Sequence, residues 1–103
     1  MTDLKYGGDL FMHIILVYDI QIDDKGKKIL PKVFKICKRY LYRIQNSVFE
    51  GELSNSQLYA LKTELKSLIR KDIDSIVIYK VKQSKWVEHE FIGITEDKSS
   101  NFI

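Results

Sequence analysis

Asp19 is the residue best placed to do chemistry. It closes the run His13-Ile14-Ile15-Leu16-Val17-Tyr18-Asp19-Ile20, so a carboxylate ends a stretch apolar enough to be a central strand buried on both faces. Flanked by Val17, Tyr18 and Ile20, it is expected to be desolvated, and such a carboxylate is costly unless paired or metal-bound. The plainer alternative is a carboxylate that caps a turn or meets a lysine. One carboxylate is a poor magnesium site. Two chains meeting near a two-fold axis, however, would bring two Asp19 side chains together, the usual protein share of Mg2+ coordination, with waters and phosphate oxygens as the other ligands.

A second feature is the distribution of charge. The 103-residue chain carries a net charge of +3, which alone says little. Between Lys25 and Arg43, however, stand eight basic residues (Lys25, Lys27, Lys28, Lys32, Lys35, Lys38, Arg39 and Arg43) and no acidic one. The rest of the chain is therefore net acidic. A local field of one sign attracts polyanions by releasing their condensed counterions, although a solvated helix face would look the same.

The remaining reactive side chains carry less. His13 and His89 are far apart in sequence with no Ser or Cys nearby to suggest nucleophilic catalysis, so both are given structural roles. Cys37 falls on an apolar helix face and reads as a small core residue. Trp86, Tyr79 and Phe91 could stack on bases, but aromatics in strands belong more often to a core or an interface. The glycines form no phosphate-cradling fingerprint. A single cysteine rules out a disulfide scaffold, and no Cys/His cluster has zinc-ligand spacing.

The elements that must position these residues follow from periodicity. Apolar residues are 45% and charged residues 30% of the chain, as in a folded soluble domain. Residues 1–11, interrupted by Gly7-Gly8, read as an extension outside the core, either natural or left over from cloning, ahead of a single domain over 12–93 and a fraying tail over 94–103. After the first strand comes a polar loop from Gln21 to Lys28. Pro31 then suits the first turn of a helix running to about Tyr42, with Leu30, Val33, Phe34, Cys37 and Leu41 on one face and Lys28, Lys32, Lys35, Arg39 and Arg43 on another. Ile44 to Leu53 reads as one strand. Ser54 with Gln57 forms a capping-box pattern that opens a helix to about Arg70. Asp72 to Val81 is a third strand, and Trp86 to Ile92 a fourth after a turn.

The order is β-α-β-α-β-β, which suits an α+β, ferredoxin-like two-layer sandwich with helices on one face of the sheet. The other face is too apolar for water, so a homodimer through that open face is expected. No run approaches the ~18 apolar residues of a membrane span, and Met1 to Phe11 has no signal-peptide pattern, so a cytoplasmic protein without a membrane partner is expected.

Taken together, the opening strand ending Tyr18-Asp19-Ile20, the basic helix with Cys37-Lys38-Arg39-Tyr40-Leu41, the run Arg43-Ile44-Gln45-Asn46-Ser47-Val48-Phe49-Glu50-Gly51 and the strand Asp74-Ser75-Ile76-Val77-Ile78-Tyr79 resemble the CRISPR-associated protein 2 family over about Met12 to Ile92. The resemblance implies a homodimeric, metal-dependent endonuclease on RNA or double-stranded DNA, using Mg2+ or Mn2+, that works in spacer acquisition with the CRISPR-associated protein 1 integrase. The family's first-strand aspartate maps onto Asp19 with Tyr18 beside it, and its second-strand arginine and Ser-Phe pair map onto Arg43, Ser47 and Phe49. Many relatives carry several arginines just after the first strand. Here Asp23, Asp24 and then lysines stand in their place, and lysines hold phosphate only as point charges. Two readings follow: paired Asp19 carboxylates cut nucleic acid while Lys35, Arg39 and Arg43 grip its backbone, or the dimer is a non-catalytic DNA-binding scaffold. A third, a small-molecule-sensing domain on the same fold, has no need of so long an acid-free stretch.

Overall fold

A run as rich in β-branched residues as Ile14 to Ile20 favours extended backbone whose polar groups need partners on both edges. In the computed structural model of the chain this run is the middle of a five-stranded antiparallel sheet. The structure describes residues 4, 5, 9–82 and 87–93. In chain order the elements are β1 (Leu4–Lys5), β2 (Asp9–Asp19), α1 (Asp24–Tyr40), β3 (Tyr42–Gln45), β4 (Val48–Ser54), α2 (Asn55–Lys66) and β5 (Ser75–Val81). β4 pairs with one edge of β2 and β5 with the other, while β3 lies outside β4. From β2 onward the order is β-α-β-β-α-β with strands arranged β5-β2-β4-β3, the ferredoxin-like two-layer architecture expected.

Alternation along β2 divides the sheet. Ile14, Leu16 and Tyr18 turn to one face, where they join Phe49 and Leu53 of β4, Val33 and Cys37 of α1, Leu41 just beyond it, and Leu58, Leu61 and Leu65 of α2 in a single core. Phe49 is the largest of its wholly buried side chains. Its ring meets Phe34 edge-on with centroids 5.7 Å apart, the arrangement that puts a ring's positive edge on a neighbour's negative face. Cys37 is sealed in this core, and burial pushes its thiol up to about 12. At neutral pH the native protein is therefore expected to resist a thiol reagent such as Ellman's reagent, and the unfolded chain to react in full.

Four expectations need correction. Ile44 to Leu53 is not one strand but the hairpin β3–β4, because Asn46 and Ser47, both turn formers, form the loop between Gln45 and its partner Val48. This moves a strand ahead of α2. Pro31 lies inside α1 rather than at its start: Asp23 caps the helix well before it by accepting from Gly26 N–H at 2.7 Å, and the proline ring sits on the exposed side. Residues 9–11, assigned to an extension, belong to β2, and Leu4–Lys5 pairs back on Asp9 and Leu10. Finally, 87–93 has no regular strand. Trp86, from which that strand was to start, lies outside the described residues, as does the tail from 94. The capping box at Ser54 is formed, with Ser54 Oγ accepting from Gln57 N–H at 3.2 Å and Gln57 Oε1 accepting from Ser54 N–H at 2.9 Å.

Candidate functional site

β2 ends at Asp19, opposite Ser75 of β5. By alternation its side chain falls on the face away from the helices, with Ile15 and Val17. Asp19 is exposed rather than desolvated. The apolar flank that was to bury it, Tyr18 and Ile20, turns into the opposite face. Among the described residues none donates to or ion-pairs with its carboxylate. Neither a turn cap nor a lysine contact among the described residues accounts for this acid.

Tyr18 lies beneath Asp19 rather than beside it. Its ring stacks on Phe49 with centroids 6.0 Å apart, and its hydroxyl donates weakly to the Asn46 carbonyl at 3.5 Å. Burial chiefly, with Cys37 in support and Arg43 opposing, raises the phenol above its ordinary value, so it stays protonated at working pH. Phe49 has no exposed surface and supports the strand end from within; it reaches no nucleic acid. Tyr18 N–H donates to the Ser47 carbonyl at 3.1 Å, which fixes the β3–β4 turn against the end of β2. Arg43 follows from the hairpin: paired with Phe49, it points to the helix side, its guanidinium 5.0 Å over the Phe34 ring, and donates to Asn46 Oδ1 at 3.1 Å.

The result is a cleft at the end of β2, lined by Tyr18, Asp19, Lys35, Arg43, Asn46 and Ser47 with apolar neighbours from α1. Asp19, Tyr18, Lys35, Arg43 and Ser47 thus all border one cleft, with the Asp19 side chain on the opposite face of the sheet from Tyr18 and Arg43. Lys32 and Arg39 instead line a separate hollow between α1 and α2, which Lys35 also reaches, and Lys28 lies on exposed α1 outside both. Arg39 is committed elsewhere. It pairs with Glu64, which also accepts from Tyr40 Oη at 2.7 Å, and these contacts, Arg39 first, hold Glu64 below the usual carboxylate range. The pair lies at the surface, so its worth is in joining the helices rather than in stability.

A second cluster escaped the sequence reading altogether. Asp74 accepts from Gln21 N–H and from Arg70 N–H, Nε and Nη2, each at 3.0 Å, while Arg70 Nη1 reaches both oxygens of Asp23 at 2.7 and 2.8 Å. Arg70 Nη2 also donates to the Gln21 carbonyl at 3.1 Å. The Arg70 hydrogen bonds above all hold Asp74 down at about 2, and they depress Asp23 as well; Asp74 first and Asp23 next push Arg70 up. This clamp fixes the segment between Asp19 and α1. The one visible signal was the four-residue spacing of Arg70 and Asp74.

On the open face, His13 Nε2 stands 3.5 Å from Glu50 Oε2, and His89 Nε2 meets the other Glu50 oxygen. Two histidines distant in sequence thus share one carboxylate. Among the described residues no group of three His, Cys, Asp or Glu side chains is arranged to hold a metal. Among the described residues, the acid bordering the cationic cleft is Asp19.

Fold and site together define a small ferredoxin-like α+β protein with an exposed acid and a cationic cleft at the end of its central strand. The family profile described as CRISPR associated protein Cas2 matches residues 12–89. A "CRISPR-associated endoribonuclease Cas2" from Fusobacterium nucleatum subsp. nucleatum is 50% identical over 99 residues, covering 96% of this chain and 92% of the relative. A "CRISPR-associated endonuclease Cas2" from Halalkalibacterium halodurans is 42% identical, covering 80% and 86% respectively. A crystal structure described as cas2 superposes with a TM-score of 0.72 at 38% identity, covering 84% of this chain and 91% of the other. The chain belongs to the CRISPR associated protein Cas2 family.

Proposed function

We propose that the protein is a dimeric endonuclease of CRISPR adaptation, acting in the cytoplasm on phosphodiester bonds with Mg2+, or Mn2+, held by the Asp19 carboxylates of two protomers. The observation that carries this is Asp19 itself: an exposed carboxylate at a strand end, without a partner among the described residues, bordering the same cleft as Lys35 and Arg43. Mg2+ is content with one or two carboxylates, taking its remaining oxygens from water and phosphate, so the donor set suits it. Such a cation, when bound, would polarise a phosphoryl oxygen and offset the negative charge that develops in hydrolysis. Lys35 and Arg43 would hold the backbone phosphates, Arg43 through its fork and Lys35 as a point charge. Ser47 and Tyr18 keep the β3–β4 turn against the strand end. The relatives' names, endoribonuclease and endonuclease, support hydrolysis of nucleic acid.

The decisive variant is Asp19→Asn, which keeps the shape and removes the charge. Cleavage of RNA or DNA with Mg2+ present is expected to fall on the order of a hundredfold or more, given the several kcal/mol that charge stabilisation at a metal supplies, with the dimer and nucleic-acid binding intact. Undiminished cleavage would remove Asp19 from the reaction.

A second reading has its own support. Lys28 and Lys32 are exposed on α1 and do not line the Asp19 cleft, as a surface that clamps duplex DNA for the CRISPR-associated protein 1 integrase would require. In that case Asp19→Asn would leave spacer acquisition unchanged in cells.

A further inference from the structure

Asp19 is the last residue of β2, where the hydrogen-bonded ladder stops, so the chain must be held by other means as it leaves the sheet. The Arg70 cluster sits at that point. Asp19 is paired with Ser75, and Asp74, one residue before Ser75, accepts from Gln21 N–H, two residues after Asp19, at 3.0 Å. The Asp19 backbone is thus closed in a small ring. Arg70 holds that ring from outside, its guanidinium donating to both Asp74 oxygens, both Asp23 oxygens and the Gln21 carbonyl. The turn that presents Arg70 is tied as well, with Asp74 N–H donating to the Arg70 carbonyl at 2.7 Å. Arg70 does not border the Asp19 cleft, and these contacts turn its donors towards protein rather than towards a phosphate.

We infer that Arg70 is a positioning residue for the nuclease reaction, holding the exit of β2 so that the Asp19 carboxylate stands where two protomers can share a divalent cation. The inference rests on the reading of Asp19 as a metal ligand and deepens it by naming what sets that ligand in place. Carboxylates from separate chains converge on one cation only if each is placed to within about 0.5 Å. Among the described residues no hydrogen bond orients the Asp19 side chain, so the place of its carboxylate is set through its backbone. A planar guanidinium can tie three segments at once: the loop after β2, the first turn of α1 and the turn before β5. A lysine ammonium, a point charge on a flexible stem, cannot.

The test is Mn2+ binding to the full-length protein without nucleic acid, followed by electron paramagnetic resonance of the free ion. Groups that orient a metal ligand are worth about 10- to 100-fold in affinity, and for Arg70→Lys, which acts through the backbone, a loss of about tenfold is expected. In EDTA its affinity for an oligonucleotide, and the salt dependence of that affinity, should match the parent's, because no phosphate contact is lost. In an Asp19→Asn background the same substitution should change Mn2+ affinity little, since the group being positioned is gone. Asp23→Asn retains a capping side chain and every Asp74 bond while removing one charged arm of the clamp, so it carries the test should Arg70→Lys not fold. Parental Mn2+ affinity in the folded variant, or an equal loss with and without the Asp19 carboxylate, would overturn the inference. Weakened oligonucleotide binding in EDTA would do so too, by making Arg70 a phosphate contact. The reading of Asp19 as a ligand fails by a different result, parental Mn2+ affinity in Asp19→Asn itself.

Discussion

Asp74→Ala is expected to destabilise the fold by about 3 kcal/mol, the scale on which a buried, hydrogen-bonded charge is lost from a pair. For a domain of this size that lowers the melting temperature by on the order of 10 °C or more, readable by circular dichroism. The size follows from what the side chain holds. Asp74 is 5% exposed and accepts four hydrogen bonds, one from Gln21 N–H and three from Arg70. Alanine leaves these donors without their acceptor in a place water reaches poorly. The damage then spreads along the segment from Gln21 to Gly26, because Arg70 carries both Asp23 and the Gln21 carbonyl. Gly26 packs so closely that a Cβ there would come within 1.7 Å of the Gln21 oxygen, so the loop and the first turn of α1 move as one body.

The same clamp sets an acid limb. The folded-state pKa of Asp74 is about 2, below the ordinary ~3.9 that the unfolded chain shows. A depressed carboxylate adds stability that is complete above about pH 4 and is lost as pH falls towards 2. Asp74→Asn should therefore be less stable than the parent at neutral pH, with a gap that narrows through that interval. A gap that stayed constant down to pH 2 would mean that the Arg70 pairing does not depress Asp74.

What the sequence could disclose was what local pattern records. β2 announces itself through β-branched residues, α2 through Ser54 and Gln57 at the right interval, and the cationic side of α1 through the absence of any acid from Lys25 to Arg43. Asp19 was found for the same reason, as an acid breaking an apolar run. Its environment is not the expected one, since neighbours in sequence along a strand point to opposite faces: of Val17, Tyr18 and Ile20, only Val17 shares the side of Asp19, while Tyr18 and Ile20 enter the core. The β3–β4 hairpin was missed because Asn46-Ser47 is a weak turn signal without glycine. The Arg70–Asp23 contact joins residues 47 apart, and no spacing rule reaches that far. Arg39 read as a phosphate contact until Glu64, brought alongside by the packing of α1 on α2, occupied it.

Val77→Glu is expected to dissolve the proposed dimer and with it the cleavage. Across the face of the sheet that carries no helix run the rows Val77-Val17-Val48 and Tyr79-Ile15-Glu50-Tyr42, each set by strand register. Val77 is 46% and Tyr79 56% exposed. Apart from Glu50, which meets His13 and His89, these rows form an apolar surface on the same face as Asp19, such as soluble monomers seldom leave to water. Two copies meeting on it would cover it, and the adjacent strand ends could then supply two carboxylates where one chain supplies one. The introduced carboxylate would be half in water in the separate chain, so the fold should survive, whereas its desolvation in the joined faces costs several kcal/mol. That corresponds to at least a hundredfold weaker association, measurable by sedimentation velocity across a dilution series. Circular dichroism should remain that of the parent. A variant that still sediments as a dimer would mean that the contact uses another surface, and one that becomes monomeric yet cuts at the parental rate would mean that a single Asp19 suffices.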